Sequence, residues 1–312
     1  FVKQLWPRIT LYGWQPVAMY SVRDNYQTFI VAANKMGKDF DAALIVLWFF
    51  MTRHPCRIVT TSAKAEHLAV LWGEIGRLIH QAHLSTEEGG SLIVNHQLIR
   101  KIVNGKMCDI SYIRGMVAGS ESIAAMGGHH AAPESLDDPC NGLPLSLYVG
   151  DEYSSVPIEY YDVASGWFNR ALLFGNAWEC NNQFKWAFKG RPGTTDNGGD
   201  ILAPDGLSYY RKCFRISAEQ SPNVRLAEEQ IKLGIKPTRE ILVPGVKTYA
   251  EYMMHRQLWD PYMQCVKLDA DWYEGTENRL FPPEWLNRAE RISVGLPSKR
   301  IARTLGVDCA MG

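Results

Sequence analysis

The chain has 312 residues, 46% of them hydrophobic, with 33 basic and 33 acidic side chains and a formal net charge of zero. That is enough apolar material for a sizeable core, expected to divide into one large domain and a smaller one. The balanced charge excludes a global electrostatic pull toward nucleic acid or membrane. The seven cysteines are scattered without C-x-x-C spacing, which fits free thiols in a reducing compartment, by default the cytoplasm, better than a disulfide framework or a zinc site.

In chain order, the segment Leu11-Tyr12-Gly13-Trp14-Gln15-Pro16 comes first. A glutamine beside an aromatic suits an adenine ring, Gln15 reading its edge and Trp14 stacking on it; a packed Trp14 with a surface Gln15 fits the same residues equally well. A β-rich run, Thr28 to Ala33, then meets a long apolar helix, Asp41 to Phe50, through Ala33-Asn34-Lys35-Met36-Gly37-Lys38-Asp39. At such a junction the backbone N–H groups of Asn34, Lys35, Met36, Gly37, Lys38 and Asp39 and the Lys38 ammonium converge on phosphate. The loop departs twice from the pattern G-x-x-x-x-G-K-[ST]. Ala32 stands at the first glycine, and Asp39 replaces the hydroxyl that normally sits on Mg²⁺. A carboxylate is a good hard-oxygen ligand, yet it carries negative charge toward the β- and γ-phosphates, so we expect a metal-dependent ATP site of modest affinity. Alternatively, Asp39 merely caps the helix that follows.

The longest apolar run, Ala42 to Met51, is too short to span a bilayer, so no membrane partner is expected. Nothing at the start reads as a signal peptide, and a chain running from Phe1 to Gly312 without an initiating methionine fits a piece of a longer product. Cys56 to Ser62 predicts a β-branched strand ending in hydroxyls, followed by helical periodicity from Ala63 to Gln81, a βαβ pattern. Short β-like runs at Leu92-Ile93-Val94, Cys108 to Ile113 and Ser122-Ile123-Ala124, separated by Gly105, Gly115 and Gly119, predict an extended sheet. Gly127-Gly128-His129-His130 opens a polar loop. Adjacent histidines rarely chelate one ion together, which favours a loop that senses nucleotide or a neighbour over a zinc site.

Leu145 to Glu152 is a hydrophobic strand that ends on two acids. At the carboxyl end of a parallel strand both face the ligand crevice, so Asp151 is a candidate to hold Mg²⁺ through water and Glu152 to polarise the attacking water. Pro157 to Ala164 predicts a helix, and Arg170 to Asn176 a strand closing in a turn, where Asn176 either bonds a phosphate-bound water and a mobile element or is simply a turn residue. A Gly/Asp/Pro-rich stretch, Gly190 to Asp205, then separates this core from predicted helices at Asn223 to Leu233 and Lys247 to Gln257. Basic clusters at Lys185, Lys189 and Arg191 and at Lys299, Arg300 and Arg303 fit either DNA phosphates or ordinary solvated surface.

The ordered set Trp14-Gln15, Asn34 to Asp39, Thr60-Thr61-Ser62, Gly128-His129, Val149-Gly150-Asp151-Glu152 and Phe174-Gly175-Asn176-Ala177-Trp178-Glu179, with Phe184 after it, resembles the ATPase part of a tailed-phage large terminase. The likeness continues through Arg215 to Val224, Leu280 to Leu286 and Leu305 to Asp308, and so covers nearly the whole chain from Leu11 onward.

The resemblance implies an α/β fold: an additional-strand P-loop NTPase with a mostly parallel sheet flanked by helices and a small lid or linker subdomain. It implies an ATPase core over 1–205, a lid or linker over 206–300, and the start of a truncated ribonuclease-H-like nuclease at 301–312. It implies ATP hydrolysis, with Mg²⁺, that drives double-stranded DNA into a capsid in the host cytoplasm. The partners implied are a homo-oligomeric ring, a portal protein and a small terminase subunit. By position, Gln15 resembles the adenine-reading glutamine, Lys38 the phosphate lysine, Asp151 the Mg²⁺ acid and Glu152 the catalytic glutamate. Gly175 and Asn176 resemble the turn that couples hydrolysis to movement. Relatives often carry arginine where Asn34 stands, so that contact is either missing here or falls to neighbouring Lys35. A trans-acting arginine that some carry near Gly127-Gly128 is Met126 here, with Arg114 and Arg170 as substitutes. Asp308 alone cannot support two-metal cleavage, so this chain is expected to hydrolyse ATP without cutting DNA. Two other readings stay open: a helicase-like remodeller, which would separate strands without a capsid, and a scaffold whose site has decayed, motivated by Ala32 and Asp39.

Overall fold

Runs in which almost every residue is apolar or β-branched become the central strands of a nine-stranded sheet in the computed structural model, which describes residues 1–119, 123–133, 135–237 and 241–275. The strands are β1 (Gln27–Ala32), β2 (Arg57–Ser62), β3 (Leu92–Asn95), β4 (Leu98–Val103), β5 (Lys106–Val117), β6 (Ser146–Asp151), β7 (Arg170–Gly175), β8 (Ile201–Leu202) and β9 (Tyr209–Ile216). Their order is β3-β4-β5-β2-β6-β7-β1-β9-β8. The six strands from β5 to β9 in that order run parallel, while β3, β4 and β8 add antiparallel edges. Strand β7 lies between β1 and β6, so one strand is interposed between the phosphate-loop strand and the acid-bearing strand, as the additional-strand class requires. Because β1, β6 and β7 are parallel, their carboxyl ends share one edge of the sheet.

The helices described are α1 (Val2–Leu5), α2 (Trp14–Asp24), α3 (Lys38–Met51), α4 (Ala65–Gln81), α5 (Ile158–Ala164), α6 (Gln183–Lys189), α7 (Pro222–Lys232), α8 (Tyr249–Leu258) and α9 (Pro261–Gln264). Alternate strand residues serve opposite faces, the period-two signature of a strand. Ile30, Leu147, Val149, Leu172 and Phe174 pack with α2, α3 and α4, whereas Phe29, Val31, Tyr148, Ala171 and Leu173 pack with α5 and α6. Both faces of these strands are therefore covered, which explains why they read as continuous hydrophobic runs. Helix α3 is buried almost all round, from Asp41 through Leu47 and again at Phe49 and Phe50. A helix apolar on every side can only be a core element here, since no described helix is long and apolar enough to cross a membrane.

The structure departs from the sequence expectations in identifiable places. Gly105 forms the β4–β5 turn with Asn104, but Gly115 lies inside β5 rather than between strands. The run expected at Ser122 to Ala124 gives a 3₁₀ turn over Ala124–Met126 instead, and Ser122 lies outside the described residues. The core was expected to end at 205, yet β9 pairs with β1 one strand in from the edge of the same sheet, and Phe1–Trp272 forms one compact unit. The likeness at Leu280 to Leu286, the basic cluster at Lys299, Arg300 and Arg303, and the nuclease start at 301–312 with Asp308 lie outside the described residues.

Candidate nucleotide site

Strand β1 delivers its loop onto the amino end of α3, and two backbone outliers shape that loop. Lys35 has φ 59° and Gly37 has φ 75°. A side chain at Gly37 would be strained by that φ, and its Cβ would meet the Gln15 amide nitrogen at 3.1 Å. Lys38 follows at the first position of α3, and its Nζ lies 2.7 Å from Glu152 Oε1 and 3.3 Å from Asp39 Oδ2. The Lys38 and Glu152 side chains are each only 15% exposed. Burial disfavours the Lys38 ammonium, but Glu152, Asp39 and Asp151 together outweigh it and hold the amine charged, its pKa above the ordinary lysine value.

Strand β6 supplies the acids. Asp151 is 1% exposed, and burial, reinforced by the charge of Asp39, raises its carboxyl well above the usual aspartate range, while Lys38 pulls the other way. Its Oδ1 is buried with no hydrogen-bond partner among the described residues, and so is the hydroxyl of Ser62, which is the register partner of Asp151 on β2. Two orphaned oxygens side by side at the end of neighbouring strands mark a place built for a water or an ion. Glu152 then turns the chain in the left-handed region, φ 43° and ψ 50°, which a glutamate rarely adopts. Strained backbone of this kind aims Glu152 at Lys38 directly after Asp151.

Strand β7 ends between these two arms. Gly175 is required there because a Cβ would meet Tyr153 N at 3.0 Å and Glu152 Cα at 3.1 Å. Asn176 spans the gap, donating from Nδ2 to the Ala32 carbonyl at 2.7 Å and from its backbone N–H to Glu152 Oε2 at 3.4 Å. One residue thus touches both the root of the phosphate loop and the glutamate.

A cavity of about 480 Å³ opens beside the loop, lined by Tyr12, Gln15, Lys35, Gly37, Asp39 and Phe40 on one side and by Val243 to Val246 on the other. Gln15 is fixed by accepting from the Tyr12 backbone N–H at 3.1 Å. The Tyr12 hydroxyl, whose pKa is pushed up to about 12 chiefly by burial, donates to the Met36 carbonyl at 2.6 Å. Sequence reasoning passed over Tyr12, although its position beside Trp14-Gln15 was a local signal. Other proposed site residues sit elsewhere. The Trp14 and Met36 side chains join the core, and the Asn34 N–H donates to the Lys267 carbonyl at 3.0 Å instead of standing free for phosphate.

A second fastening was not legible at all. The Lys247 N–H donates to the Lys35 carbonyl at 2.8 Å, and the Lys35 ammonium pairs with Glu251, which also closes the capping box of α8 with Thr248. These contacts, with the bond from Asn34 to Lys267, hold 243–267 against the loop. Elsewhere, His129 is a satisfied core histidine, bonded to the Tyr112 hydroxyl at 2.7 Å and the Ala125 carbonyl at 2.9 Å. Arg170 starts β7, at the edge of the sheet away from the site, and bonds the Arg23 carbonyl. Arg114 lies within β5 over the Tyr112 ring. Lys185 and Lys189 are paired with Glu179 and Asp271, and Arg191 lies over Trp186, which leaves that cluster little free charge for DNA.

Among the described residues no three His, Cys, Asp or Glu side chains close into a metal cage. Asp151 and Asp39 fit a Mg²⁺ ion that takes its remaining ligands from phosphate and water, which is this ion's usual habit.

No protein-family model and no curated protein sequence matches the chain. Solved structures do. The ATPase domain of the Thermus phage P74-26 large terminase superposes with a TM-score of 0.54 at 14% identity, covering 87% of this chain and 97% of that one. The HK97 bacteriophage large terminase gives a TM-score of 0.50 at 12% identity over 86% of this chain, which spans 53% of that protein.

Proposed function

We propose that this chain, whose fold is that of phage large-terminase ATPase domains, is an ATP-hydrolysing subunit of a DNA-translocating packaging motor. The observation that carries the reading is the convergence of Lys38, Asp39, Asp151, Glu152 and Asn176 from β1, β6 and β7 on one sheet edge, beside a cavity of about 480 Å³. In this reading Gln15, fixed by Tyr12, faces the base, and the backbone of Lys35 to Asp39 with the Lys38 ammonium receives the phosphates. Asp151 and Asp39 would hold a magnesium ion, which would supply neutralisation of the charge that develops on the phosphates. Glu152 orients the attacking water. It is paired with Lys38 in this structure, so transfer of the ammonium to phosphate is what frees the carboxylate for that task.

Asn176 gives the site a route outward, since its backbone N–H meets Glu152 and its side chain meets Ala32, so that one residue joins the two. Residues 217–272 act as the lid, fastened to the loop at Lys35 and Asn34. The motor works as a homo-oligomeric ring on double-stranded DNA in the host cytoplasm, with a portal protein and a small terminase subunit as partners. The test is ATP turnover with and without double-stranded DNA and portal. Turnover stimulated by those partners and abolished in Lys38→Ala and Glu152→Gln is expected, and strand separation without a portal would replace this reading with a helicase.

A further inference from the structure

We propose that this site takes up a divalent cation before any nucleotide, held between Asp39 and Asp151, because a carboxylate stands where the phosphate loop ordinarily carries a hydroxyl. The proposal rests on the ATP-site reading and adds an order of binding to it.

The charge count is the first argument. Among the described residues Asp39 and Glu152 share one nearby cation, Lys38, which touches Glu152 at 2.7 Å and Asp39 at 3.3 Å, with the buried Asp151 carboxyl beside them. Those two distances place the Glu152 and Asp39 oxygens no more than about 6 Å apart. The neighbouring Lys35 is drawn away to Glu251 and does not help. A triphosphate entering this site meets uncompensated negative charge, whereas a divalent cation entering first cancels it. With a neutral hydroxyl at position 39 the imbalance would be one charge smaller, and the ion would have less reason to arrive without its phosphates.

The second argument is independent of charge. Asp151 Oδ1 and Ser62 Oγ are buried and without partners among the described residues, at matched register on adjacent strands, Asp151 being 1% exposed and Ser62 fully buried. Polar oxygens are rarely buried like this unless something outside the chain bonds to them. Lys38 does not satisfy them, since its ammonium is held by Glu152 and Asp39. An ion with one or two carboxylate ligands and several waters suits such a place, and Mg²⁺ or its spectroscopic substitute Mn²⁺ binds in that manner.

The experiment is a Mn²⁺ titration of the nucleotide-free protein, followed by electron paramagnetic resonance. Saturable binding of about one ion per chain is expected, weakened by about tenfold or more in Asp39→Ser and equally in Asp39→Asn, which removes the charge while keeping the shape. The same variants should bind a fluorescent ATP analogue in EDTA about tenfold better than the parent protein, because a repelling charge has gone. Absence of Mn²⁺ binding without nucleotide, or unchanged Mn²⁺ binding in both variants, overturns the proposal. Analogue binding by the parent protein with Mg²⁺ reports the ATP-site reading separately. If that fails while Mn²⁺ still binds, the cation site stands and the nucleotide assignment falls.

Discussion

Two lysines three residues apart in one loop have opposite fates. Lys38 is enclosed with Glu152, both side chains 15% exposed, whereas Lys35 meets Glu251 with side chains 57% and 29% exposed. An ion pair shielded from water carries a desolvation cost that attraction barely repays, so its persistence points to work other than stability. An exposed pair is screened and contributes little to folding. In the proposed function the enclosed pair takes part in the chemistry, and the exposed one fastens the segment around Glu251 to the loop.

Substitutions can break that contrast, beginning with the largest effect. Lys38→Ala should lower ATP turnover by about two to three orders of magnitude, as expected when a charged phosphate donor is lost. Glu152→Gln should lower it by roughly 10²- to 10⁴-fold while nucleotide binding survives, measured by turnover and by fluorescent-analogue titration side by side. If Lys35→Ala matched either loss, the assignment of the two lysines would be reversed.

Gly175→Ala tests the junction between the arms. The added Cβ would press on Tyr153 N at 3.0 Å and Glu152 Cα at 3.1 Å, so chemical denaturation should show a loss of about 1–3 kcal/mol. Asn176→Ala removes the bond to Ala32 and should cost about 1 kcal/mol in stability. Its effect on DNA-stimulated turnover should exceed its effect on basal turnover, since it links the loop to the glutamate.

Lys35→Ala should change stability by less than about 1 kcal/mol and leave the melting profile nearly intact. A pH-dependent effect concerns Asp41, in the first turn of α3, where both carboxyl oxygens are buried without partners among the described residues and burial raises the pKa well above the ordinary aspartate value. An acid raised on folding stabilises the fold fully below its unfolded pKa, and that contribution is lost as pH rises through the higher folded value. Asp41→Asn should thus flatten the decline of melting temperature on the alkaline side of about pH 4, measured by a thermal scan at stepped pH.

Much of this molecule was legible because its signals are local. The apolar runs at Gln27–Ala32, Ser146–Asp151 and Arg170–Gly175 announce buried parallel strands, and Gly37-Lys38 announces a tight turn into a helix, since burial on both faces and a positive φ each demand particular residues at particular spacings. What lacked such a signal was misplaced. Strand β9, Tyr209–Ile216, carries charged side chains on its partly exposed residues, so nothing in its pattern advertises a strand beside β1. Trp14 read as well for stacking as for packing, and only the depth of its site placed it in the core. Sequence by itself determined the candidate site residues, a lysine, three acids and an asparagine in a fixed order. Tertiary structure alone decided that β7 would lie between β1 and β6, that Glu152 would reach Lys38, and that 243–267 would fold onto the loop. The physical reason is that backbone preference and hydrophobic periodicity act over a few residues. Strand order and ion pairing between distant segments are settled only when the whole core is buried at once.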